Sequence, residues 1–268
     1  APVGGNEASD SFVEGIQARR ANSSTNTGRV EASFAASPVL SFISTYRDQR
    51  REFGQAQSTP TGVVQGSLID TTFQTVTSGP EVKISPVDTA SLFYQYQKGT
   101  YRTSDFSTQG ALAGWTRSIT PTLTAGVTGG ATVFSTSNDL RYLGSAFLSW
   151  EGEDSAVNVS YSRRIVPSFY VAATALLSQV VTATVTHRVT KSLALSLNSN
   201  YAHNQSVPDS SVLTFESYAV TPSVTYKINR VMTATLSYTH SQYQRTFSSQ
   251  EFVFNRNMVI LGLVAEWE

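Results

Sequence analysis

The 268-residue chain has no cysteine, three histidines and two methionines, and only 14% of its residues are charged. Soluble domains carry about 25% charge. Without cysteine there is no disulfide framework and no thiolate metal site. Long hydrophobic runs are missing as well. The longest, Met258–Ala265, is interrupted by Gly262 and falls well short of the roughly 20 residues of a spanning helix. No excess of one charge exists either, with 19 basic against 19 acidic side chains. That excludes the basic face a nucleic-acid partner demands. Aromatics at 11% and abundant β-branched residues oppose disorder. The start, Ala1-Pro2-Val3-Gly4-Gly5, has no basic or apolar leader segment, and the expectation is a mature form left after signal cleavage.

What is present is alternation. Leu123, Ala125, Val127, Gly129, Ala131 and Val133 share one face of an extended segment, and Thr124, Gly126, Thr128, Gly130 and Thr132 share the other. A period of two makes this a strand with one apolar and one small polar face. The pattern returns in 177–189, 193–204, 218–228 and 231–241, and no segment carries a helical stripe. Short turns are expected near 36–38, 85–88, 119–122, 152–155, 190–192 and 227–230. Longer Ser/Thr/Asn/Gln-rich loops are expected near 22–28, 53–68, 102–107, 135–139, 166–174, 205–213 and 246–251.

Short and long connections that alternate place the short turns on one rim and the long loops on the other. Counting from a first strand near Phe12–Arg20 to a last near Asn257–Trp267 gives about fourteen strands, or twelve if the first pair lies outside the wall. Residues 1–11 then form an N-terminal periplasmic extension, and 12–268 form a single all-β, up-and-down antiparallel transmembrane barrel.

Three features favour a membrane barrel over a soluble sandwich. Expected strands run 11 to 15 residues, longer than the ~5–6 of globular strands and enough to span a bilayer when tilted. Their polar face is Ser, Thr, Asn, Gln and Gly rather than Lys and Glu. Aromatics also sit near strand ends on the apolar face, as an interfacial girdle requires; Trp115, Trp150, Tyr161, Tyr201, Tyr226, Tyr238 and Trp267 are the clearest. Pro80 and Pro222 fall inside strands, where a bulge or a rim position would accommodate a missing donor.

The closing run Val259, Leu261, Leu263, Ala265, Trp267 resembles the terminal strand by which bacterial outer-membrane barrels are recognised for insertion. The resemblance implies the barrel-assembly machinery and outer-membrane lipid as partners. Hairpins such as Ser37-Pro38-Val39-Leu40-Ser41-Phe42, Ser85-Pro86-Val87-Asp88, Thr120-Pro121-Thr122-Leu123 and Leu236-Ser237-Tyr238 resemble outer-membrane porins, including barrels associated with exopolysaccharide export systems. That resemblance spans most of 29–267 and implies the bacterial outer membrane.

Catalytic residues are not expected. His187, His203 and His240 all fall on the apolar face, and Ser241, next to His240, points to the opposite face. Asp48, Asp105 and Asp139 are scattered, and three histidines without cysteine give no metal spacing. No cofactor is expected.

Alternation assigns Glu31, Arg47, Glu81, Lys83, Glu151, Arg164, Arg188, Lys227 and Glu266 to the lumen. Their mixed sign predicts weak charge selectivity. The cluster Arg47, Gln49, Arg50, Arg51 fits lipid-phosphate binding, a place lining the mouth or a solvated rim; no loop is long enough to require a plug, and 53–68 is the segment that could fold inward. About fourteen strands predict a lumen wider than that of eight-stranded barrels and narrower than that of 16–18-stranded porins.

Three functions fit these expectations. The first is a channel for passive diffusion of small polar solutes. The second is an export conduit for a polysaccharide, working with periplasmic partners. The third is a structural barrel with an occluded lumen, bound to another envelope protein.

Overall fold

The computed structural model describes residues 23–53, 70–101, 105–135, 137–168, 175–207, 213–247 and 250–265. They form thirteen strands: β1 (Ser23–Ala35), β2 (Leu40–Phe53), β3 (Thr71–Lys83), β4 (Asp88–Tyr101), β5 (Asp105–Thr120), β6 (Leu123–Phe134), β7 (Leu140–Glu151), β8 (Ser155–Pro167), β9 (Ala175–Arg188), β10 (Leu193–Val207), β11 (Leu213–Lys227), β12 (Met232–Phe247) and β13 (Gln250–Ala265). Each pairs antiparallel with its chain neighbours in one sheet, ordered β1 to β13. The strand expected at Phe12–Arg20, the extension 1–11 and the ends Glu266 and Trp267 lie outside the described residues. Strands run 12 to 16 residues, slightly longer than the sequence suggests. β1 and β13 are the margins of the sheet, and no ladder joins them among the described residues.

Four of the short turns share one chemistry. Ser37 Oγ accepts the backbone N–H of Val39 and Leu40, and Ser85 Oγ accepts those of Val87 and Asp88. Thr190 does the same for Ser192 and Leu193, and Asn229 for Val231 and Met232. A side-chain oxygen that satisfies two orphan donors lets the chain reverse in a few residues. Ser, Thr and Asn therefore recur at these reversals.

The far ends of the strands behave differently. Segments 23–28, 105–107, 205–207, 246–247 and 250–251, all read from sequence as loop, continue the ladders. In 24–28 the polar composition belongs to an exposed strand, whereas Phe106, Ser206 and Val207 at the ends of β5 and β10 are buried.

Pro80 and Pro222 occupy unbroken registers with no bulge. Each leaves a gap in one ladder, toward β4 and β12 respectively, while the pairing on either side keeps its register. The irregularity in pairing lies elsewhere, between Ser118 and Thr120.

Gly129 and Gly130 separate the two reasons for a mid-strand glycine. A Cβ on Gly129 would meet nothing within 4 Å, whereas one on Gly130 would stand 1.9 Å from the Ala111 carbonyl oxygen. Only Gly130 is required by backbone approach.

Candidate functional site

The two faces of the sheet differ as the alternation demands. On the outer face Leu92, Tyr94, Val127, Leu148, Leu195, Leu197 and Val224 are exposed. On the inner face hydroxyls and amides bond across neighbouring strands: Thr184 to Asn198 at 2.9 Å, Ser196 to Ser223 at 2.6 Å, Thr221 to Thr239 at 3.0 Å and Ser160 to Thr182 at 2.6 Å.

The aromatics named from sequence, Trp115, Trp150, Tyr161, Tyr201, Tyr226 and Tyr238, all stand exposed on the outer face. A row of tyrosines there hands its hydroxyls to amides on the next strand. Tyr94 bonds Gln109 at 3.4 Å, Tyr161 bonds Gln179 at 3.4 Å, Tyr218 bonds Gln242 at 2.8 Å and Tyr238 bonds Asn257 at 2.9 Å. A ring with one apolar body and one wet end sits where hydrocarbon meets headgroup. Beyond the row the outer face turns polar, with Asp48 and Arg50 paired at 3.0 Å and His203 beside Glu216 at 2.8 Å. Tyr218 and Tyr226 stand eight residues apart on β11, about 26 Å of strand and about 20 Å of height at a ~40° tilt.

His187, His203 and His240 share this outer face. Sequence reasoning weighed histidines only against serines close in the chain, such as Ser241 beside His240, and so missed a cross-strand pair: Ser155 Oγ lies 2.8 Å from His187 Nδ1 at the short-turn rim. No third group orients the imidazole through Nε2 among the described residues, so the pair lacks the second bond that a nucleophilic Ser–His couple needs.

The inner face narrows toward the long-loop side. Phe106 is the centre of an aromatic cluster, with ring centroids 6.3 Å from Phe73, 6.0 Å from Tyr101 and 6.0 Å from Phe134. Its ring covers Gly99, where a Cβ would stand 2.2 Å from Cε1. Against these β3–β6 residues pack Ile165, Ala175, Leu177 and Val207 from the ends of β8, β9 and β10. Ser168 N–H donates to Tyr101 Oη at 3.1 Å. Strands four positions apart in the sheet can meet only if the sheet wraps around, with the ends of β8 and β9 crossing its interior. The sequence signal was a loss of alternation: Ile165-Val166-Pro167 and Ala175-Leu176-Leu177 are consecutive apolar residues, the mark of burial on both faces. The 53–68 segment, named from sequence as one that could fold inward, lies outside the described residues except for Phe53.

Beneath this crossing lies a cavity of about 280 Å³. Arg29, Arg47, Gln49, Gln95 and Gln97 line one side, and Arg164 to Pro167 line the other. Of the charges assigned to the lumen from sequence, Arg47 and Arg164 meet here. Glu31 is a neighbour on β1, holding Arg29 at 2.8 Å. Glu81, Lys83, Glu151, Arg188 and Lys227 take inner-face registers toward the short-turn rim, well away from the cavity. The cluster Arg47, Gln49, Arg50, Arg51 is split by alternation. Arg47 and Gln49 line the cavity, Arg51 donates inward to Thr25 at 2.9 Å, and Arg50 faces out to Asp48. Arg29, Gln95 and Gln97 were missed, although counting back from Val30 and Tyr96 would have placed them inward.

Residues 141–267, a little under half of the chain, match the model of the family described as "Putative beta-barrel porin 2". Over that stretch the chain is similar to a family of β-barrel porins. Thirteen chains of solved structure are similar to it. Outer-membrane expressed OmpT of Vibrio cholerae is 8% identical over 94% of this chain and 99% of its own, with a TM-score of 0.40. The CymD monoaromatic hydrocarbon channel is 9% identical over 92% of this barrel and 87% of its own chain, with a TM-score of 0.35. No curated protein matches the barrel.

Proposed function

We propose that this barrel is a non-enzymatic channel for passive diffusion of small polar solutes, narrowed on the long-loop side by the ends of β8 and β9. The observation that carries this reading is the inner face itself. Its ladders of Thr, Ser and Asn offer donors and acceptors to a hydrated solute without large fixed charge. The match to a porin family model over 141–267 supports the class. In planar bilayers the purified barrel gives small, ohmic, single-chain conductance steps. A folded barrel that never conducts overturns the reading.

The packed cluster around Phe106 supports a second reading, a structural barrel with its lumen closed and an envelope protein as partner. The same bilayer experiment separates the two. A closed barrel stays silent as wild type, yet conducts once Phe106 and Ile165 are both cut back to alanine.

A further inference from the structure

The wall forks on its long-loop side. β7 and β8 share a ladder from Glu151–Ala156 up to Gly144–Arg163, and it stops there. Beyond that pair Leu140–Leu143 stay with β6, and Arg164–Pro167 stay with β9. A ladder carried on to the next outer-face pair would set Tyr142 opposite Ile165. Instead Tyr142 is 67% exposed, while Ile165 is 1% exposed and packs inside with Phe106. The two strand ends therefore part to opposite sides of the wall and leave facing edges that no ladder joins among the described residues. Unpaired edges are not tolerated against hydrocarbon. The fork begins at Arg163, two residues past Tyr161 of the tyrosine row, so it opens at the level of lipid headgroups.

Arg163 is also the outer-face cation left over when the others are paired. Arg50 has Asp48 at 3.0 Å, Lys98 has Asp105 at 3.8 Å and Arg117 has Asp88 at 3.8 Å. Arg163 has no acid partner among the described residues, and its Nε is shut off from solvent without a hydrogen bond. On one side its register partner Gln179 already accepts the Tyr161 hydroxyl. On the other side the row runs through Gly144 and Gly129 to Ala113, so nothing larger than a methyl group rises beside the guanidinium. A Cβ on Gly129 would meet nothing within 4 Å. A planar fork of donors with open space alongside suits a phosphate, which pairs with arginine by two parallel hydrogen bonds.

We infer that the fork between β7 and β8 anchors a phosphate-bearing lipid, its headgroup phosphate held by Arg163 and its acyl chains lying on the outer face over Ala146, Leu148 and Val159. Those three residues are exposed directly below the fork, and Leu148 and Val159 are cross-strand partners. The inference rests on the outer face lying against lipid and is independent of whether the lumen conducts.

The test uses the full-length barrel in detergent micelles, read by native mass spectrometry. Dimyristoyl phosphatidic acid is the probe, and dimyristoyl glycerol is its phosphate-free counterpart. A single phosphatidic acid stays bound to the wild type, and the diglyceride does not. Arg163→Gln weakens that binding about tenfold, whereas Lys98→Gln, which removes a paired cation from the same face, leaves it unchanged. Two lipids held equally, or an Arg163→Gln barrel that binds like wild type, overturns the inference. Equal losses for Arg163→Gln and Lys98→Gln reduce the site to general surface charge and overturn it too. Inorganic phosphate that displaces phosphatidic acid at millimolar concentration assigns the fork to free phosphate and overturns the lipid. Heat-modifiable gel migration verifies that each variant is folded, and the wild-type comparison of the two lipids decides even where a variant is not. No readout needs a conducting pore, so a failure here leaves the channel reading standing.

Discussion

The backbone N–H of Ser168, at the end of β8, donates to the phenolic oxygen of Tyr101, at the end of β4, across 3.1 Å. β4 and β8 are not neighbours in the sheet, so this bond ties one wall of the barrel to an element inside it. Tyr101→Phe keeps the ring among its aromatic neighbours and removes the hydroxyl together with the bond it accepts. Losing a hydrogen bond of this kind costs about 0.5–1.5 kcal/mol. The expected result is a lower midpoint in urea unfolding from lipid vesicles. An unchanged midpoint would separate the packing of the β8 end from this bond.

Phe106 carries more of the same contact. It touches three other rings and fills the space above Gly99. An aromatic ring laid over a strand glycine restores the side-chain contact that the glycine lacks. Phe106→Ala should cost about 3–5 kcal/mol, whereas Phe106→Leu, which keeps most of the volume, should cost less than half of that. The measurement is equilibrium unfolding followed by tryptophan fluorescence, and equal losses for the two variants would contradict the packing argument.

The glycine pair in β6 gives a sharper contrast, because the two residues are adjacent and chemically identical. Gly130→Ala drives a methyl into the Ala111 carbonyl and forces β5 and β6 apart, while Gly129→Ala enters open space on the outer face. Gly130→Ala is therefore expected to lower folded yield and the temperature of the heat-modifiable gel shift. Gly129→Ala, which adds apolar surface toward lipid, should leave both unchanged or slightly raised.

How far the sequence reached depended on whether alternation persisted. In 123–133 and 193–204 each residue's neighbour chemistry differs by face, so parity alone placed Val127, Leu195 and Leu197 outward and Thr128 and Ser196 inward. Around Thr25 both faces of the strand are polar and exposed, and strand is indistinguishable from loop. At Ile165–Pro167 and Ala175–Leu177 both faces are buried, and consecutive apolar residues hide the period. Pairings across neighbouring strands, such as Arg29 with Arg47 or Ser155 with His187, depend on register. No local pattern encodes that.

The boundary of the lipid band sets the last expectation. Leu197 stands on the outer face between the Tyr201 row and the short turn at 189–192, paired with Val185 and Pro222. Gln179 stands on the same outer face but accepts the Tyr161 hydroxyl, at the level where that face turns polar. Arginine near the middle of the apolar band of a barrel costs about 2–4 kcal/mol, and near the interface about 0–1. Leu197→Arg should therefore lose most of its folding stability in vesicles, and Gln179→Arg almost none of it. The ratio of the two losses, read from urea midpoints at one lipid thickness, locates the membrane on this sheet. Near-equal losses would move the hydrocarbon boundary above Tyr161 and convert the polar outer zone into part of the spanning wall.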